Sequence, residues 1–400
     1  MIAPQPWITW SALLVSNCGF WLFCFNQTNA AGWERRLTKR LEKVWILLCF
    51  ATPAAVWLVD AESLTTWLLH SNRWCPSETR LFAPWALCCT LSALLLFPPW
   101  LESRRWMWPP ANLLAVHTQR FNVPRLTGQA STADWKTALL DRIPGNEITQ
   151  LEVNRKHLLL PRCVQGIDGL SIAHISDLHF TGQLTQSHYH FMIDRLLEQR
   201  PDLIVITGDI IDAAACLPWI EPVLGRLKAP LGCTFLLGNH DQRIARWQQV
   251  TEPLTALGFF DLGVADQHLQ LSNGASLLLT GNELPWFERH TSTPVLKPTS
   301  AIDTLRLGLS HSPDQIKWAR NQQLDLLLAG HTHGGQVRLP GIGPLVAPSR
   351  YGSRFASGVF YRQPVLMHVS RGIAGTHPLR YRCLPEVSLL VLRTPNSPAS

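Results

Sequence analysis

The sequence predicts an α/β domain on a mostly parallel sheet with an antiparallel addition, preceded by an α-helical membrane region. Three observations lead there. Residues 1–150 hold 13 of the 17 tryptophans but only two of the 15 histidines. They also carry three long apolar stretches, whereas the rest of the chain alternates short apolar runs with helical patterns. Five of those short runs end in Asp, Asn or His, so polar chemistry collects at strand ends.

The apolar stretches are Trp7 to Phe25, Val44 to Val59 and Leu81 to Leu101. The outer two approach the ~20 residues that cross a bilayer, while the middle one is short and contains Pro53. Buried helices of a soluble domain are the alternative. Three runs this apolar, with little amphipathic pattern, favour about three transmembrane helices within residues 1–103. Arg35, Arg36, Lys39, Arg40 and Lys43 lie between the first two stretches, and Arg104 and Arg105 follow the third. Between the second and third, Arg73 and Arg80 are offset by Asp60, Glu62 and Glu78. The positive-inside rule then places the first loop and everything after Leu101 in the cytoplasm. No Lys or Arg precedes Trp7, which argues against a cleaved signal peptide. The expected location is the cytoplasmic (inner) membrane, multi-pass, with the catalytic domain on the cytoplasmic side.

Residues 104–150 read as an interfacial linker. Its opening, Arg104 to Pro110, mixes cations with indoles as membrane-interface segments do, and no clear period follows. The net charge of +7 divides almost evenly, +4 before residue 151 and +3 after it. A groove that grips nucleic acid usually shows a marked basic excess, so the near balance after residue 151 weakens a nuclease reading without removing it, and nucleic acid is not an expected partner. The ten cysteines include no CxxC pair, and most of the first six lie in apolar runs, as reduced structural thiols do.

From residue 151 the elements follow in order. A strand is expected over Leu151 to Leu160, and a second over Leu170 to Ser176 that runs into Asp177-Leu178-His179. Strand period is two, so Asp177 and His179 point the same way and can share a metal; a polar loop is the plainer alternative. A helix over about Gln186 to Gln199 puts Met192, Ile193, Leu196 and Leu197 on one face, with His188 and His190 near its start read as solvated. The run Asp202 to Thr207 suits a strand buried on both faces and ends in Gly208-Asp209. Thr234 to Leu237 leads into Gly238-Asn239-His240-Asp241, and a helix stopping near Gly258 follows. Asn273-Gly274 signals a hairpin between Gln267 to Leu271 and Ala275 to Thr280. Leu305 to Leu309 delivers His311, after which Ser312 and Pro313 open a helix. Asp325 to Ala329 delivers Gly330-His331-Thr332-His333-Gly334-Gly335-Gln336.

In α/β folds the carboxyl ends of strands form the ligand-binding edge. Asp177, His179, Asp209, Asn239, His311, His331 and His333 therefore converge, and seven N/O donors exceed one tetrahedral site and suit two cations.

The motifs DLH, GD, GNHD, SHSPD and GHTHGGQ, in this order, resemble those of the calcineurin-like metallophosphoesterases, most closely the bacterial membrane-associated phosphohydrolase branch. The likeness covers about Leu151 to Leu392, including Ser349 to Gly352 and Ser370 to Gly372. It implies an α+β-like sandwich of central mixed β-sheets flanked by helices over residues 151–400. It also implies two divalent metal ions, Mn, Fe or Zn. One would be held by Asp177, His179, Asp209 and His333, the other by Asp209, Asn239, His311 and His331, with Asp209 bridging. His240 would stabilise charge or protonate the leaving oxygen, with Asp241 as its orienting partner. Arg350, Arg354 and Arg371 are candidate phosphate grips, with solvated surface arginines as the alternative. The implied activity is hydrolysis of a phosphoester or pyrophosphate, small-molecule or lipid-linked, through metal-activated hydroxide attack on phosphorus. A metal-dependent nuclease or cyclic nucleotide phosphodiesterase, and a catalytically silent membrane-bound sensor, are the competing readings. Such sensors lack ligands or the acid histidine, and here all are present.

Overall fold

The computed structural model describes residues 5–69, 79–105, 109–289 and 304–395. It divides into two compact units, Met1–Met107 and Trp108–Ser400.

The first unit is helical: α1 (Pro6–Ala30), α2 (Arg35–Val59), α3 (Ala61–Leu69) and α4 (Phe82–Arg105). Three segments, Pro6–Ala30, Arg35–Val59 and Phe82–Glu102, are long and apolar enough to cross a membrane. The middle one is longer than its apolar stretch suggests. Its basic residues form the first turns of α2 instead of a loop, because Arg, Lys and Leu favour helix and no breaker separates Arg35 from Val44. Asn17 ties the helices together. Its amide donates to Cys49 O (2.9 Å), and its Oδ1 accepts from Thr52 Oγ1 (2.8 Å) and Trp85 Nε1 (3.2 Å). Polar side chains of this kind join helices where apolar burial offers no preference. Asp60 accepts from the backbone N–H groups of Arg80, Leu81 and Phe82, satisfying donors at the start of α4. Arg73 and Glu78 of the second loop, and Trp106 to Trp108 of the cation–indole segment, lie outside the described residues.

The second unit begins with β1 (Leu113–Asn122), α5 (Val123–Thr127), α6 (Trp135–Asp141) and β2 (Gln150–Leu159). The linker expected over 104–150 is therefore folded for most of its length: β1 pairs antiparallel with β2 along nearly all of both strands. Then come β3 (Ser171–Ile175), α7 (Gln186–Leu197), β4 (Leu203–Thr207), β5 (Cys233–Leu236), α8 (Gln248–Ala256), β6 (Phe260–Asp261), β7 (Gln267–Gln270), β8 (Ser276–Asn282) and β9 (Thr304–Ser310). The chain ends with α9 (Ile316–Asn321), β10 (Leu326–Ala329), β11 (Arg338–Leu339), β12 (Gly343–Pro344), β13 (Gly358–Arg362), β14 (Val365–Val369) and β15 (Glu386–Arg393).

Two mixed sheets result, ordered β1-β2-β15-β3-β4-β5-β6 and β13-β14-β10-β9-β8-β7. In the first, β3 to β6 run parallel; in the second, β8, β9, β10 and β14 do. The Asn273-Gly274 turn joins β7 and β8 as an antiparallel hairpin. Strand alternation separates two cores. Leu203 and Val205 share a core with Leu305, Leu307, Leu326 and Leu328 of the second sheet, while Ile204 and Ile206 pack with Met192 and Leu196 of α7 and Leu254 of α8. The carboxyl ends of β3, β4 and β5 in one sheet, and of β9 and β10 in the other, supply all the sequence-predicted metal ligands.

His188, read from sequence as solvated, is fully buried, and both its ring nitrogens lack a hydrogen-bond partner. It lies on the inward face of α7 with Met192 and Leu196.

Candidate metal centre

Backbone hydrogen bonds carry the pairing past the ends of β3 and β4. Asp177 N donates to Gly208 O (3.1 Å) and His179 N to Asp209 O (2.9 Å). Gly330 N donates to His311 O (2.9 Å), which links the β9 and β10 turns in the same way. Asp177, His179, Asp209, His331 and His333 all have positive φ, five of the nine non-glycine residues that do so among the described residues. Each such conformation costs on the order of 1–2 kcal/mol, and strain concentrated on adjacent polar turns marks a functional site. Glycine is required beside them. A Cβ on Gly372 would stand 2.5 Å from Asp177 Cβ, and one on Gly330 would collide with Ser176 Oγ and Asp177 Oδ2.

Asp177, His179, Asp209 and His333 form one group whose ligand atoms lie within 4.8 Å of one another; Asp209, His311 and His331 form another. In the first, His179 Nε2 is 3.2 Å from His333 Nε2 and 3.4 Å from Asp209 Oδ2, and His333 Nε2 is 3.6 Å from Asp177 Oδ1. In the second, His311 Nε2 is 3.2 Å from Asp209 Oδ2, 3.0 Å from Asn239 Oδ1 and 3.1 Å from His331 Nδ1. Asp209 Oδ2 belongs to both groups, is buried, and has no hydrogen-bond partner. Two imidazole nitrogens bonded to one cation at ~2.1 Å with a near-tetrahedral angle stand ~3.4 Å apart, close to the spacings found. The donor set thus fits two divalent cations sharing one carboxylate oxygen. All seven residues predicted as ligands meet here.

In His311, His333 and His179 the nitrogen turned away from this centre faces an acceptor. His311 Nδ1 donates to Thr207 O (2.8 Å) and His333 Nδ1 to Ala374 O (3.0 Å), so each leaves Nε2 as a lone-pair donor. His179 Nδ1 faces Asp212 Oδ1 at 2.9 Å. Burial opposes charge on His179 and His311, but Asp212 chiefly for the first and Asp209 for the second raise both rings to about 9. Burial, with His311 and His179 respectively, holds His331 and His333 well below the usual range. Burial alone would raise Asp209, yet the surrounding histidines, His311 foremost, keep it ionised far below the ordinary carboxylate range. A cation entering here meets a charged carboxylate and displaces protons from two rings, so its affinity falls as pH falls.

His240 lies beside the first group, its ring centroid 4.6 Å from that of His179. Its orienting carboxylate is Asp212, with Nδ1 at 3.1 Å from both oxygens, and not the Asp241 expected from sequence. Asp241 is fully buried. Its Oδ1 accepts from Ile210 N (3.0 Å) and Ile211 N (2.9 Å), and its Oδ2 from Gly238 N (2.8 Å). It therefore clamps the β4 and β5 turns together, and burial with the neighbouring Asp209 pushes it up to about 7. Sequence reasoning also missed Arg243, whose Nη1 donates to Asp212 Oδ2 (2.7 Å) and whose Nη2 reaches Thr376 Oγ1 (3.2 Å). Trp286 packs edge-on to His311 and tilted to His331, with ring centroids 5.3 Å and 4.8 Å apart.

Arg371, a candidate phosphate grip, is half-buried and bonded to Glu386 Oε2 (2.7 Å) and Glu152. It is a core ion pair and does not face the cations. Arg350 is exposed on a loop that Ser349 Oγ and Arg350 N tie to Asp314, three residues after His311. Arg354 is half-buried in the short helix Gly352–Phe355.

A family model for the calcineurin-like phosphoesterases matches residues 170–335, which include all seven donors and His240. The uncharacterized metallophosphoesterase YkuE of Bacillus subtilis is 32% identical over 252 residues, 60% of this chain and 84% of that relative. This chain is a calcineurin-like metallophosphoesterase. Two further metallophosphoesterase relatives carry named activities. Phosphodiesterase YaeI of Escherichia coli is 29% identical over 231 residues, 55% of this chain and 81% of its own length. UDP-2,3-diacylglucosamine pyrophosphatase LpxG of Chlamydia trachomatis is 24% identical over 294 residues, 60% of this chain and 88% of its own. The metallophosphoesterase assignment makes the chain a metal-dependent phosphohydrolase with a two-cation centre, and its three apolar helices mark it as membrane-associated.

Proposed function

We propose that this phosphohydrolase acts on a lipid-linked phosphoester or pyrophosphate at the cytoplasmic face of the inner membrane, anchored by helices within residues 1–103. The observation that carries the catalytic part is Asp209 Oδ2, buried between His179 Nε2 (3.4 Å) and His311 Nε2 (3.2 Å) and so shared by two donor groups. Asp177, His179, Asp209 and His333 would hold one cation, and Asp209, Asn239, His311 and His331 the other. When bound, the pair supplies positive charge for phosphoryl oxygens and lowers the pKa of water between them.

The chain's own residues do the rest. Asp212 holds His240 Nδ1, and burial lowers this ring while Asp209 and Asp212 favour its charge; in its imidazolium form the ring would pass the Nε2 proton to the leaving oxygen and return to the neutral state. Arg243, held by Asp212 and Thr376, brings a guanidinium within 3.4 Å of His240 Nε2 and can grip a phosphoryl oxygen there. Arg350 and Arg354 would extend that grip. The basic start of α2, with five cations between Arg35 and Lys43, supports the cytoplasmic placement of the catalytic unit. The similarity to LpxG supports a lipid-linked pyrophosphate, and that to YaeI a phosphodiester.

The test is a screen of the detergent-solubilised protein against phosphomonoesters, a bis-aryl phosphodiester, lipid-linked pyrophosphates and single-stranded DNA, each with Mn, Fe and Zn. Preference for a lipid-linked substrate supports the proposal. Preference for DNA would establish the nuclease reading, and no turnover of any substrate the silent sensor.

A further inference from the structure

Next to the centre lies an apolar surface that the reaction does not use. Trp135, Leu139 and Ile143 recur every fourth residue along and just past α6, so they share one face, and they are 72%, 57% and 44% exposed. Thr137, on the other side of the helix, is buried. The segment continues to Gly145, where the Tyr381 ring packs so closely that a Cβ would meet it at 2.8 Å. Tyr381 forms backbone bridges to Asn146 and to Val337, and Val337 follows His333 by four residues. Leu339 in β11 extends the same exposed strip. The apolar face thus runs from α6 to the turn that carries His331 and His333. Contiguous exposed apolar surface of this kind marks a contact with a partner or a membrane.

The charges along it are sorted. Asp134 accepts from Lys136 N, Thr137 N and Thr137 Oγ1, Asp141 from Thr149 Oγ1, and Glu147 from Cys383 N. The carboxylates are thus engaged with the domain itself, while Arg125, Lys136, Arg142 and Arg382 are exposed. Lys136 Nζ lies 5.7 Å from the centroid of the Trp135 ring, the indole-and-cation pairing of interfacial segments. A second copy related by a two-fold axis would oppose these cations to one another, whereas anionic lipid headgroups complement them.

We propose that the rim formed by Trp135, Leu139, Ile143, Tyr381, Val337 and Leu339 rests in the headgroup region of an anionic bilayer and holds the metal centre against the membrane surface. The proposal depends on residues 1–103 spanning the membrane, and not on which phosphorylated compound is hydrolysed. Docked in this way, the centre meets phosphoryl groups without lifting their lipid tails out of the bilayer.

The experiment uses the full chain in vesicles of phosphatidylcholine and phosphatidylglycerol, doped with a lipid bearing a diazirine high on its acyl chain. After photolysis, labelled peptides are mapped by mass spectrometry. Peptides covering 135–143 and 337–342 should carry label, as should the three apolar helices. Trp135→Ser/Leu139→Ser should cut label on 337–342 by about tenfold, leaving the label on the helices and hydrolysis of soluble bis(p-nitrophenyl) phosphate unchanged. Arg142→Glu, which leaves the apolar face intact, should lower rim labelling in phosphatidylglycerol vesicles more than in phosphatidylcholine alone. Label confined to residues 1–105, label missing there as well, or label undiminished in both variants would overturn the proposal. Labelling of the rim without hydrolysis of any phosphoester would leave the docking surface standing and sink the catalytic reading.

Discussion

Asp212→Asn separates the structure's account of the centre from that expected of its sequence. The substitution keeps shape and removes charge. In the folded chain that carboxylate receives His179 Nδ1 at 2.9 Å, His240 Nδ1 at 3.1 Å and Arg243 Nη1 at 2.7 Å. A hydrogen bond to a charged group is worth ~1.5–3 kcal/mol, and loss of a carboxylate behind a metal-binding histidine costs about 10- to 100-fold in affinity or activity. Because one residue orients both a candidate ligand and the proposed acid, kcat for a bis-aryl phosphodiester at saturating metal should fall by ~100-fold. Metal affinity measured by competition with a chelating dye should weaken by ~10-fold. Asp241→Asn is the companion. Its carboxylate accepts three backbone N–H groups and an amide cannot serve all three, so Tm should fall with a loss of ~2–4 kcal/mol, while kcat per folded chain is retained. Wild-type kcat and metal affinity in Asp212→Asn, with kcat abolished in a well-folded Asp241→Asn, would refute the reasoning and restore the sequence-based pairing.

Two other outcomes follow from buried groups. Burial pushes His188 down to about 4. Below pH 6.5 the unfolded chain gains a proton there that the folded chain refuses until about pH 4. Stability is therefore present above pH 6.5 and is lost as pH falls through that window, by roughly 3 kcal/mol. His188→Phe should flatten the pH dependence of Tm between 4 and 6.5, and an unchanged slope would contradict it. Arg371→Ala removes the cation between Glu152 and Glu386 and leaves buried carboxylates without it. It should destabilise by ~3–5 kcal/mol and lower Tm, with KM unchanged in the folded fraction; a raised KM at unchanged Tm would return Arg371 to the substrate site.

The clustering of the candidate donors was legible in the sequence because parallel strands put their carboxyl ends on one edge and each short apolar run stops at a polar pair. Asp177 and His179, or His331 and His333, need only strand period and a following turn to be aligned. The Asn273-Gly274 hairpin was legible for an equally local reason. What failed depended on distant partners. β1 reads Leu113 to Asn122 with a polar middle, because as an edge strand much of it is exposed, and its only signal is the register with β2. Asp212 carries no local signal, because its partners, His179 and His240, are 33 and 28 residues away. Arg371 resembled a surface cation beside a glycine until Glu152, 219 residues away, closed on it. His188 broke the polarity rule outright, a bare imidazole on the inward face of a helix.

The central claim is that Asp209 bridges two cations, and metal content tests it without recourse to turnover. The purified wild-type chain, dialysed against trace Mn, Fe or Zn and analysed by inductively coupled plasma mass spectrometry, should retain two ions. Asp209→Ala should retain fewer than one and lose phosphodiester hydrolysis with them. Two tightly held ions or full hydrolysis in Asp209→Ala would contradict the account.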